Sequence, residues 1–218
     1  MPKDFLSLCD FGRDDLLAIL ARARALKDLQ RQGRRPRTLE GCTLAMYFEK
    51  PSLRTHVTFE TAMTHLGGHA ILLRPEQVGI GTRETPADVA RNLSRWVDGL
   101  MARTFSHALV EEMGAVASIP VINGLTDLLH PCQAMADAQT MAERRDLSRA
   151  VIAYLGDGNN VANSLLEVAS VLGLTLRLAT PASHRPALRV RRRAEECAAA
   201  SGARISFVED PLEAVRGA

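Results

Sequence analysis

The sequence predicts an α/β chain of two units, each built on a parallel sheet, the second only partly present. Three observations carry this. Short apolar runs alternate with amphipathic stretches along all 218 residues, the pattern of strand–helix units whose crossovers keep neighbouring strands parallel. Glycines stand where helices must stop, at Gly67-Gly68 and at Gly173. The charged, weakly apolar segment Ala142–Arg149 then interrupts the alternation, which sets expected boundaries of 1–145 and 146–218. Four strands precede that segment and three follow it. A three-stranded parallel unit leaves a sheet edge open, so either a partner covers it or the chain is incomplete.

The expected strands are Thr43–Phe48, His69–Leu73, Gly99–Ala102, Pro120–Ile122, Val151–Leu155, Thr175–Ala179 and Arg204–Phe207. Each is a brief apolar run bounded by turn residues. The expected helices are Arg13–Gln30, Ser52–Leu66, Thr85–Val97, Ser106–Met113, Pro131–Glu143, Asn160–Leu172 and Ala187–Ser201. The lone Trp96 closes an apolar helix face and is expected in the core.

Composition excludes several function classes. Hydrophobic content of 46% is too high for disorder. A net charge of +2, from 27 basic and 25 acidic residues, does not suit a nucleic-acid or polybasic membrane protein. No apolar run approaches the roughly 20 residues that span a bilayer, and no signal-peptide core follows Met1. Cys9, Cys42, Cys132 and Cys197 form no CxxC or CxxH pair. A disulfide framework or metal site is not expected, and a reducing cytoplasm fits.

The most informative stretch is Phe48-Glu-Lys-Pro-Ser-Leu-Arg-Thr55, a strand–turn–helix junction. A helix N-terminus offers orphan N–H groups and the positive end of a dipole, which suits an anion. Ser52 and Thr55 add hydroxyls, and Arg54 adds a guanidinium that can fork onto phosphate oxygens. Taken alone, ordinary capping by Ser52 accounts for the same residues.

A second segment, His130-Pro-Cys-Gln133, opens another helix. Pro131 fits the first helical position and makes His130 the N-cap. His130 and Gln133 share a face of the first turn. The imidazole, kept neutral by the helix dipole, can donate to a carbonyl oxygen, and the amide of Gln133 can accept from a carbamoyl NH₂. A capping histidine beside a solvated glutamine is the plain alternative. Arg103 ends a strand, where ligands bind in open α/β sheets.

The turn Gly156-Asp-Gly-Asn-Asn160 follows a strand and opens a helix. The third glycine of a dinucleotide turn is missing and no acidic ribose partner stands out. Instead Asn160, Asn163 and Ser164 share a face, and neutral amides suit an amino-acid carboxylate or amine.

Together these segments resemble the transcarbamylase family over essentially the whole chain. Phe48–Thr55 is similar to its carbamoyl-phosphate turn, and His130-Pro-Cys-Gln133 with Asp137 to its His-Pro-x-Gln…Asp helix. Arg103 falls between them in the expected order, and Ala117–Asp127 and Gly67-Gly68-His69 also match. The resemblance implies a catalytic transfer of the carbamoyl group of carbamoyl phosphate, without cofactor or metal. Ser52, the Leu53 N–H, Arg54, Thr55 and Arg103 would hold the phosphate. Arg103, His130 and Thr55 would be the catalytic donors to the carbamoyl oxygen, and Gln133 would orient the carbamoyl NH₂. The amide-rich turn, with no arginine, and the segment Gly79–Thr85, with no lysine, resemble the branch acting on L-ornithine rather than aspartate. Asn160 would contact ornithine. The resemblance further implies a homotrimer.

This chain departs from the family at Leu53, where threonine is usual, at His56, where arginine is frequent, and at Gly79, where a glutamine or histidine is frequent. It also stops before the family's Asp-x-x-x-Ser-Met-Gly and His-Cys-Leu-Pro segments. Two alternatives follow: a non-catalytic carbamoyl-phosphate-binding fragment, or transfer to a related amine such as putrescine or an acylated ornithine.

Overall fold

A computed structural model describes all 218 residues, Met1–Ala218. In chain order it contains α1 (Arg13–Arg31), β1 (Thr43–Phe48), α2 (Leu53–His65), β2 (His69–Leu73), α3 (Pro75–Val78), α4 (Pro86–Leu93), β3 (Gly99–Arg103), α5 (His107–Val116), β4 (Val121–Leu125), α6 (Pro131–Ala142), β5 (Val151–Leu155), α7 (Asn160–Leu172), β6 (Thr175–Ala179), α8 (Leu188–Ser201), β7 (Arg204–Val208) and α9 (Pro211–Val215). A 3-10 turn, Leu8–Asp10, precedes α1. The expected α/β class with two parallel sheets is what forms: one of order β2-β1-β3-β4, the other of order β5-β6-β7. No helix is long and apolar enough to cross a membrane.

The chain divides into two compact units, residues 2–6 with 25–127, and residues 7–24 with 128–218. In the first, β1 is an interior strand and reads as a continuous apolar run, Leu44–Phe48 being buried throughout. One face of its sheet packs Ala45, Tyr47, Leu100 and Ala102 against Val89, Val110 and Met113 from α4 and α5. The other packs Leu44, Met46 and Met101 against Met63 and Phe59 from α2. Alternate residues of each strand thus feed opposite layers, as the two-residue strand period requires. In the second unit α7 is buried from Ala162 to Leu172, against β6 and α8. Its stop at Gly173 is left-handed (φ 76°), as expected from sequence.

Three local expectations change. Strand β4 runs to Leu125, past the polar Asn123-Gly124 pair that ended it on paper, because Asn123 is buried and its amide donates to the Leu6 carbonyl at 3.0 Å. Helix α4 ends at Leu93 rather than Val97, since the Ser94 hydroxyl turns back onto the Ala90 carbonyl at 2.7 Å. Trp96, expected in the core, is 73% exposed in the turn that follows. The short α3 was not expected.

Candidate active site

The first unit assembles an anion cradle at the carboxyl ends of β1 and β3. These strands are hydrogen-bonded neighbours, and Phe48 and Arg103 are register partners at their ends. From β1 the chain crosses to β2 on one side, whereas β4 lies beyond β3 on the other. This is a switch point in strand order, the place where open α/β sheets bind ligands.

Each part of the cradle has a structural cause. Ser52 is the N-cap of α2, its Oγ accepting from the Thr55 N–H at 3.3 Å and lying 3.2 Å from the Thr55 hydroxyl. Capping occupies Ser52 with one N–H only, and the first-turn N–H groups still carry the positive end of the helix dipole. Leu53, at the first helical position, is 79% exposed, so its side chain leaves the backbone there accessible. Arg103 sits at a bulge in which Ala102 pairs with Asn123 but Arg103 with Leu125, and such a kink re-aims a strand-end side chain. Its guanidinium donates to the Thr55 hydroxyl at 3.3 Å and to the Lys50 carbonyl at 3.2 Å. The turn returns the contact, the N–H groups of Glu49 and Lys50 both reaching the Arg103 carbonyl.

Charge at this cradle is unbalanced. Burial, and then the neighbouring Arg54 guanidinium, hold Arg103 below the usual arginine range. Two like charges in electrostatic reach of each other, beside two hydroxyls, are what a dianion would neutralise.

Glu49 and Lys50 carry positions that sequence reasoning left without a role. The Glu49 carboxylate accepts from the Phe105 N–H at 2.9 Å. The Lys50 ammonium pairs with Asp127 at 2.5 Å and lies 4.8 Å over the Phe105 ring. Both tie the turn after β1 to the loops after β3 and β4. Only their alternation of sign could have hinted at this.

In the second unit His130 is the N-cap of α6 with Pro131 next, as expected, but its side chain makes no capping bond. The imidazole is therefore not spent on the helix end. Instead the His130 N–H donates to Ser164 Oγ at 2.7 Å. Gln133 is exposed, and its Nε2 donates to Asp137 Oδ1 at 2.9 Å. That bond, made one turn further along α6, fixes the amide so that its oxygen is left as the accepting end.

The amide turn is also well determined. Asn159 is the N-cap of α7, its oxygen accepting from the Val161 and Ala162 N–H groups at 2.9 and 3.1 Å and its amide donating to Asp157 at 2.7 Å. Asn160 follows, half-buried at the first helical position. Asn163 and Ser164 differ from the shared amide face expected of them. Asn163 is 3% exposed and donates to the Leu128 carbonyl at 2.9 Å, while Ser164 receives the His130 N–H. Both hold the segment that leads into α6.

Gly158 shows how tightly the turn is built. A Cβ there would lie 2.2 Å from the Pro186 nitrogen and 2.3 Å from the Arg185 carbonyl carbon. Both are backbone atoms and cannot rotate aside. Gly158→Ala is therefore expected to cost about 1–3 kcal/mol or more, the range for overpacking, with a lowered urea midpoint as the readout. A midpoint unchanged from the parent would show that segment 184–186 does not pack on the turn.

No group of three or more His, Cys, Asp or Glu side chains is arranged to hold a metal ion.

Residues 3–143 match the family described as aspartate/ornithine carbamoyltransferase, carbamoyl-P binding domain, and residues 149–218 match its Asp/Orn binding domain. The ornithine carbamoyltransferase of Pyrococcus abyssi is 46% identical over 217 residues, which cover 99% of this chain and 68% of that protein. That of Thermus thermophilus is 47% identical over 219 residues, covering 100% of this chain and 69% of that protein. Among solved structures, ornithine carbamoyltransferase from Pyrococcus furiosus superposes with a TM-score of 0.94 at 46% identity, over 98% of this chain and 69% of that one.

Proposed function

The chain belongs to the aspartate/ornithine carbamoyltransferase family, and from that premise we propose that it transfers the carbamoyl group of carbamoyl phosphate to the δ-amine of L-ornithine, giving L-citrulline and phosphate. The observation that carries the first half of this reading is the cradle at the end of β1. There Arg103 touches Thr55, Ser52 caps the same turn, and the charge of Arg54 opposes that of Arg103. Ser52, the Leu53 N–H, Arg54, Thr55 and Arg103 bind the phosphate. A carbamoyl phosphate dianion relieves the guanidinium repulsion and uses the helix N-terminus.

The chemistry asks for stabilisation of a growing charge. As the neutral amine attacks the carbamoyl carbon, negative charge builds on its oxygen. Arg103, Thr55 and His130 donate to that oxygen, and one such preorganised donor is worth roughly 2.7–4 kcal/mol. The Gln133 oxygen, held by Asp137, accepts from the carbamoyl NH₂ and sets its orientation. Phosphate departs with the C–O electron pair and takes the proton lost by the amine, so no covalent intermediate on the protein is needed. Holding both substrates supplies much of the remaining acceleration.

Ornithine is favoured over aspartate because the turn Gly156–Asn160 carries no arginine for a second carboxylate. Asn160 contacts ornithine, and Asn163 serves the same substrate through its hold on the Leu128 carbonyl. We assign residues 1–145 to carbamoyl-phosphate binding and 146–218 to ornithine binding, so that residues 7–24 and 128–145 serve the first function although they pack with the second unit. The enzyme acts in the cytoplasm, in arginine biosynthesis, as a homotrimer.

The decisive experiment supplies carbamoyl phosphate with L-ornithine, L-aspartate, putrescine or N-acetylornithine in parallel. Citrulline from ornithine, with no product from the other three, is expected. Carbamoyl phosphate binding without any turnover would make the chain a binding module, and product from another amine would reassign the acceptor.

A further inference from the structure

The densest set of reactive side chains outside the cradle and the His130 helix lies within the second unit, where the turn Leu8–Asp10 meets α8. Two rungs join these elements. Asp10 forms an ion pair with Arg193, and Cys9, next to Asp10, faces Cys197 closely enough for the two thiols to influence each other. Residues 193 and 197 are one helical turn apart, so they present their side chains in one row. Residues 9 and 10 meet that row in order. The ion pair therefore holds the register that keeps the two thiols together.

The surroundings fix the turn further. Glu167 of α7 is buried and accepts from the Ser7 hydroxyl and the Leu8 N–H, both at 2.9 Å. The backbone immediately before Cys9 is thus anchored, which holds Cys9 at the junction with α8. Cys9 and Cys197 are both half-buried residues.

We propose that Cys9 and Cys197 form a reversible redox site, a dithiol that a small-molecule disulfide such as oxidised glutathione converts to an intramolecular disulfide. The Cys197 thiolate attacks one glutathione sulfur and expels the other half as a glutathione thiolate. Cys9 then gives its proton to solvent and attacks the Cys197 sulfur, releasing the second glutathione. Two protein thiols are oxidised and one small disulfide is reduced to two thiols, so the exchange balances. The order follows from the neighbourhood. Burial, and the Glu167 carboxylate beside it, push the Cys9 thiol well up, which disfavours its thiolate as the first nucleophile. Asp10 and Arg193 are the other charged groups at this junction. The bond would tie residue 9 to residue 197, a long loop whose closure restricts the unfolded chain.

The test incubates the reduced chain with oxidised glutathione. Expected are loss of two of its four thiols, a mass lower by two hydrogens, a cross-linked peptide pair containing Cys9 and Cys197, reversal by dithiothreitol, and a Tm raised by several degrees. Cys9→Ser should stop at a glutathione adduct on Cys197, and Cys197→Ser should give no cross-link. Glu167→Gln should speed closure severalfold by removing the charge beside Cys9. Glutathione adducts without a cross-link in the parent chain, a cross-link through Cys42 or Cys132, no thiol loss, or a lowered Tm on oxidation would each overturn the proposal.

Discussion

Arg103→Ala abolishes carbamoyl phosphate binding in a calorimetric titration, and Arg54→Ala weakens it severely. The reason lies in what each guanidinium does before any ligand arrives. Arg103 is half-buried and committed to Thr55 and Lys50 at the edge of the turn. Removing it takes a charge from the anion and releases the hydroxyl that Arg103 orients. Truncating one partner of a desolvated charge pair costs roughly 2–5 kcal/mol, about 30-fold to several-thousand-fold in Kd. Arg103→Lys should recover only part of this, because an ammonium cannot serve Thr55, Lys50 and phosphate from one planar fork. Arg54 is exposed and lowers the Arg103 pKa by its charge. Its removal relieves repulsion in the empty site while taking a donor from the full one. Arg54→Ala should therefore keep or slightly raise the urea midpoint of the ligand-free chain even as it loses affinity. A binding residue that also held the fold together would lose both. Unchanged affinity in both variants would remove the cradle from the reaction.

Arg54 and Thr55 are adjacent yet take different positions in the cradle. At the start of a helix, successive side chains diverge by about 100°. Thr55 turns back under Arg103 and Ser52, and Arg54 remains exposed beside the same turn. One dipeptide thus supplies both a fixed donor and an adjustable one.

Much of this arrangement was legible in the sequence because it depends on local rules. Strand β1 is apolar throughout, Ser52 and Pro131 mark helix starts, and Gly67 and Gly173 take the positive φ that their stops require. Arg103 could be placed at a strand end, but its aim could not. It depends on the bulge at Gly124 of β4, opposite Ala102 and Arg103, where an added Cβ would come within 2.4 Å of the Met101 sulfur. That constraint joins residues on different strands and has no local signature. The same is true of Asn163 and Ser164. Helical spacing groups them with Asn160, but packing against Leu128 and His130 turns them inward. Trp96 failed for a related reason: an apolar stripe identifies a face, and an early helix end turned its last residue outward.

Between pH 5 and pH 8 the chain should lose stability, and Glu167→Gln should abolish most of that loss. Glu167 lies on α7 with 2% of its surface exposed. Burial is the largest influence on its carboxyl, outweighing the bonds from Leu8 and Ser7 and the charge of Arg193, and raises its pKa from 4.5 to about 7. The folded state therefore holds this proton more tightly than the unfolded state does. Stability from this group is fully present below pH 4.5, falls as pH rises through the interval, and is lost above about pH 7. The gap is equivalent to about 3 kcal/mol, a large share of the 5–15 kcal/mol typical of a folded domain. Glutamine removes the titration without leaving either partner unsatisfied. Its carbonyl oxygen can accept from the Leu8 N–H, and its NH₂ can donate to the Ser7 hydroxyl, which serves as donor or acceptor. The variant should match the parent near pH 5 and exceed it at pH 8. Glu167→Ala should be less stable than both at every pH, because it strands the buried Leu8 N–H and Ser7 hydroxyl. Urea midpoints measured across that range decide the matter. A parent and a Glu167→Gln variant with the same pH slope would mean that the carboxylate of residue 167 is already charged at pH 5, with Arg193 and the two hydrogen bonds outweighing its burial.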